Sequence, residues 1–214
     1  DSREPGRILT TPHFYSFKYR PGNRILTLAC YQAGQGSAWP FRVRNLLLHI
    51  LNVYLVFLLG RRLFADDSIA TVAAFLFGLH HLTHQNIHAA IFTNTFAYAL
   101  ILGGLLASLA IGESRRWLLL SALAAAANFL AIFSYDPALF AAGLLPLYCA
   151  SRWLWTRDPG LPWGRLAAHT AMQAAVVIAI FVLRKSFVPT GMPEVTPPAT
   201  LLTILVSYAT AIVL

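Results

Sequence analysis

Charge is what this sequence has least of. Of 214 residues only 11% are Asp, Glu, Lys or Arg, 57% are hydrophobic, and the mean hydropathy is +0.62. Soluble domains carry about 25% charged residues, so the deficit excludes a soluble globular protein and implies a polytopic membrane protein. Acidic residues are scarcer still, eight in all, and none lies well inside an apolar stretch. That removes the buried carboxylates by which transporters couple ions, and no internal repeat is visible. Cysteine is nearly missing: Cys30 and Cys149 stand alone and far apart, which excludes a disulfide framework or a cysteine metal motif. The zinc-protease pattern HExxH is absent too, because the histidine-rich segment reads HHLTH with no Glu between the histidines.

Long apolar runs are present in quantity. A membrane span needs about 20 mostly apolar residues. Seven stretches qualify: roughly 43–59, 68–84, 94–111, 117–133, 137–155, 166–183, and one opening at Thr196–Pro197–Pro198. Asp66, Asp67 and Ser68 are acidic and capping residues suited to the start of the second. The expected architecture is all-α: a transmembrane bundle of about seven spans over 43–214, behind an extracytoplasmic loop over 1–42. The chain opens at Asp1 in polar sequence and stops at Leu214 in an apolar run, as expected of a piece of a longer protein.

Basic residues set the orientation. Loops holding Arg61–Arg62, Arg115–Arg116, and Arg152, Arg157 and Arg165 collect seven of the sixteen basic residues and are expected in the cytoplasm. The net charge of +8 then reflects membrane orientation, and no nucleic acid partner is expected. Alternation puts the first 42 residues, the histidine turn and the loop after Arg184–Lys185 outside, in a multi-pass protein of a bacterial inner membrane or an ER-like membrane. Arginines kept outside against the usual bias point to an anionic partner, of which a lipid phosphate is the simplest.

Several polar residues stand out against the apolar background. The cluster FYSFKYRP around Arg20 reads either as an interfacial aromatic belt or as a loop offering Arg20 to a phosphate. Arg184 and Lys185 close the sixth stretch, and snorkelling and phosphate binding fit them equally. Asn45, His49 and Asn52 share one helix face by their spacing of four and three residues. They serve either as interhelical hydrogen-bonding glue or as the wall of a polar site. His80, His84 and His88 also share a face, where imidazoles four apart can bind a metal. Without the Glu the expectation is no metal, and instead a polar lining by His80 and His84 for a cavity at the membrane interface. The stripe and His80 are expected to face neighbouring helices together.

Four blocks fall in a telling order: Tyr19-Arg20-Pro21, NLLLHILN from Asn45 to Asn52, Arg61-Arg62-Leu63-Phe64, and Phe77-Gly78-Leu79-His80. In that order they resemble the GT-C class of membrane glycosyltransferases, in particular the protein O-mannosyltransferase-like group of transmembrane-and-TPR O-mannosyltransferases and their bacterial relatives. The resemblance covers about Ile8 to Ala90. It implies a polyprenyl-phosphate-linked sugar as donor and transfer to an acceptor hydroxyl on the outer or lumenal side. It also implies that Arg20 and Arg184, with Lys185, meet the lipid phosphate, while His49 and His80 shape the cavity. The family's catalytic acid has no counterpart, since Asp1 and Glu4 are the only acids of the first loop and lack its paired motif. No catalytic residue is therefore assigned. A non-catalytic subunit that binds membrane lipid and packs against partner proteins in a complex is the second expectation.

Overall fold

The computed structural model describes residues 21–35, 37–80, 94–140, 143–144, 147 and 162–187. Its regular elements are α1 Pro21–Gly34, α2 Trp39–Phe64, α3 Asp67–Leu79, α4 Asn94–Leu109, α5 Trp117–Ser134, a 3-10 turn Asp136–Phe140, and α6 Trp163–Phe187. Helix α2 ends where Ala65 adopts a left-handed conformation (φ 53°) and donates its N–H to the Arg61 carbonyl. The next residue restarts the chain: Asp66 accepts from the N–H groups of Ser68 at 2.7 Å and Ile69 at 3.1 Å, capping α3 as its sequence predicts.

Among the described residues the architecture is all-α, and three candidate spans stand where the sequence leads one to expect seven. The three helices that are long and apolar enough to cross a membrane among the described residues are α2, α5, and Trp163–Leu183 within α6. Helices α3 and α4 are apolar but have only 13 and 16 residues. A 13-residue helix rises about 20 Å against a hydrocarbon core of about 30 Å. Helix α3 stops early because His80 turns to extended backbone (φ −63°, ψ 127°) directly after Leu79. The fifth expected stretch opens as the 3-10 turn, and most of the remainder, with the whole seventh stretch, lies outside the described residues. Helix α1 and the start of α2 fall within the segment expected as a loop.

Packing is inverted relative to a soluble protein. The buried apolar residues are mainly alanines, among them Ala70, Ala97, Ala124 and Ala131, while Leu47, Phe75, Leu76, Ile178 and Val182 are exposed. Lipid is as apolar as leucine, so membrane helices gain by bringing small residues together and leaving large ones outside. Gly60 abuts Ala70 between α2 and α3, and Gly104 abuts Ala124 between α4 and α5. Three long apolar helices with this inverted packing make a multi-pass membrane protein the reading the fold supports.

Contacts fix the helix directions. Gly60 on Ala70 and Gly78 on Val53 make α3 antiparallel to α2. Leu166 joins Ile111 and Trp117 at one level, and Ile180 joins Ala131 and Ile132 at another, so α5 and α6 run the same way. Helix α1 folds back along the first part of α2, with Gly34 on Pro40, and its start rests on Ser134 at the end of α5.

One end of the bundle is laced by charges. Arg61 pairs with Asp67 at 2.7 Å, Arg62 pairs with Glu113, and Arg165 donates to the carbonyls of Gly112 and Ser114. Exposed pairs of this kind contribute about 0–1 kcal/mol each, so their value lies in gathering the basic loops on one side. That is the side the positive-inside rule leads one to expect in the cytoplasm. With Cys30 and Cys149 replaced by alanine, a cysteine placed at Arg116 should react only from the cytoplasm and one at Gln32 only from outside. The opposite labelling pattern overturns the orientation.

Candidate functional site

Helix rise places each polar group in depth. Arg62 and Arg44 on α2 are 18 residues apart, about 27 Å, and Arg165 and Arg184 on α6 are 19 apart, about 28 Å. Each pair brackets one hydrocarbon thickness. Arg44 and the Arg184–Lys185 turn therefore lie at the end opposite Arg62 and Arg165, the end expected outside, and Asn52 lies near the middle, about 15 Å from Arg62. Helix α3 ends beside His49, well short of that end.

A helix ending at such depth exposes carbonyls that only protein or water can satisfy. Helix α2 supplies one donor. His49 Nε2 lies 3.2 Å from the Gly78 carbonyl oxygen, and its ring stacks on Phe77 at 6.2 Å. With a carbonyl as acceptor, Nε2 carries the proton in this contact. One turn further in, Asn52 Nδ2 donates to the Thr95 carbonyl at 2.8 Å, tying α2 to the start of α4. Asn52 Oδ1 and Thr95 Oγ1 are buried without a hydrogen-bond partner. Towards the outside, Arg44 donates from Nε (3.0 Å) and Nη2 (2.8 Å) to Asn45 Oδ1. Asn45, His49 and Asn52 thus form one buried polar face running inward from an arginine at the rim.

The structure separates some of the residues that the sequence grouped. His80 directly follows α3 but is exposed, not buried with the stripe. Lys185 is exposed in the last turn of α6, and Arg184 belongs to the same turn. Arg20 and His84 lie outside the described residues. Gly22, near the start of α1, packs on Ser134, while Ile180 packs on Ile132 and Ala138. The beginning of α1 and the end of α6 are therefore at the same end of α5, opposite the charge-laced end. Asp136 opens the 3-10 turn at that end of α5, whereas Asp66, Asp67 and Glu113 are all at the charge-laced end with Arg61 and Arg62. Among the described residues no three His, Cys, Asp or Glu side chains gather as metal ligands.

A second buried polar cluster, absent from the sequence reading, joins α4, α5 and α6. Asn128 and Gln173 are bonded at 2.7 Å, and His169 Nε2 lies 3.3 Å from Ser108 Oγ and 3.4 Å from the Gln173 amide. Ser108 donates its hydroxyl to the Gly104 carbonyl at 2.7 Å, so its oxygen accepts from His169 and fixes the proton on Nε2. As placed, Asn128 Nδ2 donates to Gln173 Oε1 and the Gln173 NH2 faces His169. A proton on Nε2 goes with both amides turned over, so that Gln173 Oε1 accepts from His169 and its NH2 donates to Asn128 Oδ1. His169 Nδ1 and Ser121 Oγ are buried without a partner. The spacing of His169 and Gln173, four residues apart within an apolar run, is the signal that singled out Asn45 and His49.

No known protein family, curated protein or solved structure matches this chain.

Proposed function

We propose that this protein is a GT-C-like multi-pass membrane protein that holds a polyprenyl-phosphate-linked sugar on its outer side and serves transfer of that sugar to an acceptor hydroxyl. One observation carries the reading: α3 stops beside His49, midway along a buried polar stripe whose rim carries Arg44. Such a recess receives a polar headgroup while the prenyl chain stays in lipid. Arg20, Arg184 and Lys185 hold the phosphate, which leaves with its negative charge when the acceptor oxygen attacks the anomeric carbon. Asn45, His49 and Asn52, buried between the helices, form the polar wall behind the recess, and His80 and His84 offer their imidazoles to the sugar. The four ordered sequence blocks support the assignment of the reaction to this group of transferases, in a bacterial inner membrane or an ER-like one.

A non-catalytic subunit of a membrane complex is the second reading. It is favoured by the character of the stripe, whose two amides accept no proton at neutral pH and whose one imidazole, His49, is turned with Nε2 onto the Gly78 carbonyl. A general base is required to take the proton of the acceptor hydroxyl.

The full-length protein in nanodiscs, with a photoreactive polyprenyl phosphate, tests both. Labelling should map to the outer half of α2 and the last turn of α6, and Arg184→Ala should reduce it about tenfold, the loss of one charge-assisted contact. Arg184→Lys should recover only part, because an ammonium lacks the two-point grip. Labelling with turnover of a sugar-loaded donor supports the transferase, and labelling without turnover supports the subunit. Absence of specific labelling overturns both.

A further inference from the structure

We infer that Arg44 forms a phosphate site of its own on the α1–α2 hairpin, filled by the headgroup phosphate of an outer-leaflet lipid. This rests on the membrane placement proposed above but is independent of any sugar transfer.

Arg44 is half-buried in the second turn of α2. All its partners are neutral: Asn45 Oδ1 takes Nε and Nη2, Cys30 Sγ on α1 lies 3.6 Å from Nη1, and the Phe41 ring lies 5.6 Å from Cζ. No carboxylate among the described residues reaches it. A guanidinium cannot shed its proton to relieve this, and an unpaired charge out of water is costly. An anion is the partner that compensates such a charge.

The geometry also says where the anion binds. Asn45 occupies the Nε–Nη2 edge of the guanidinium and pins the plane. The other edge, Nη1–Nη2, meets only a thiol, a weak acceptor at long range. Two N–H groups on that edge match two oxygens of one phosphate.

The neighbours say which phosphate. Trp39 is 61% exposed and Tyr31 49%, aromatic residues at the height where membrane proteins carry their interfacial belt. Val43 and Leu47, on either side of Arg44 along α2, are exposed apolar residues suited to acyl chains. Arg42, also exposed, adds a second cation at the same height. A phosphate presented between an aromatic belt and an acyl-facing helix belongs to a lipid.

The test uses full-length protein in phosphatidylcholine nanodiscs doped with phosphatidic acid or, as a phosphate-free control, with diacylglycerol. Lipid retained by the protein is read by native mass spectrometry, and folding by thermal unfolding without phosphatidic acid. Wild type should retain phosphatidic acid over diacylglycerol, and Arg44→Gln should lower that retention about tenfold. Cys30→Ala, which clears the edge without touching the charge, should retain at least as much as wild type. If Arg44→Gln does not fold, Arg44→Lys carries the test: it keeps the charge but loses the two-point grip, so retention equal to wild type overturns the proposal. Equal retention by folded Arg44→Gln overturns it as well. Displacement of phosphatidic acid by millimolar inorganic phosphate overturns the lipid source. Photolabelling by the polyprenyl probe is a separate readout, so failure of either site leaves the other measurable.

Discussion

Leucine in place of Gly60 should separate α2 from α3 and destabilise the protein by about 3 kcal/mol or more, the upper range for overpacking. A Cβ at Gly60 would stand 2.9 Å from the Ala70 Cα and 3.1 Å from its Cβ. The nearer atom is backbone, so no rotamer change relieves the clash and the helices themselves must part. Gly60 and Ala70 are both buried. In lipid there is little hydrophobic force to draw parted helices together again, since the packing itself is the attraction. Gly103 provides a matched control, because a Cβ there meets nothing within 4 Å. Gly103→Leu should leave stability unchanged or raise it slightly through helix propensity, worth about 1 kcal/mol. Thermal unfolding of both variants in the same detergent decides the matter: equal losses would mean that bulk in an apolar helix, not the α2–α3 contact, is responsible.

Much of the architecture was legible because it depends on local chemistry. The charge deficit gives the membrane class, Asp66 gives the start of α3, and the four- and three-residue spacing gives the buried face of Asn45, His49 and Asn52. What escaped the sequence depends on neighbours distant along the chain. The segment from Leu79 to His84 contains no proline or glycine to stop a helix, so a count of apolar residues carries the second stretch to His84. The helix ends at Leu79, where His49, 29 residues upstream, meets the Gly78 carbonyl at 3.2 Å. Helix α1 was hidden by Asn23, Arg24, Thr27 and Gln32, polar residues that read as loop until α2 and α5 provide a surface for it. The His169–Gln173 pair carried a readable spacing but no neighbouring motif. Its partners, Ser108 on α4 and Asn128 on α5, are 61 and 45 residues away in sequence from the groups they meet.

The same contact between α2 and the end of α3 yields the most informative prediction about the polar stripe. His49→Leu should destabilise the protein by about 2 kcal/mol, because it removes the donor that α2 supplies to the Gly78 carbonyl at a depth where water is scarce. Leucine fills most of the space, so the loss reflects the hydrogen bond more than a cavity. His49→Gln offers an amide N–H in place of Nε2–H and should regain most of that stability. Photolabelling by polyprenyl phosphate then separates two roles that stability alone does not. If His49 only positions the end of α3, glutamine should restore labelling along with stability. If the imidazole itself meets the headgroup, glutamine should restore stability and leave labelling low. The proposal of a polar recess at this helix end requires one of these two outcomes. A His49→Leu variant as stable as wild type, with labelling undiminished, removes His49 from both roles and leaves the end of α3 as ordinary packing.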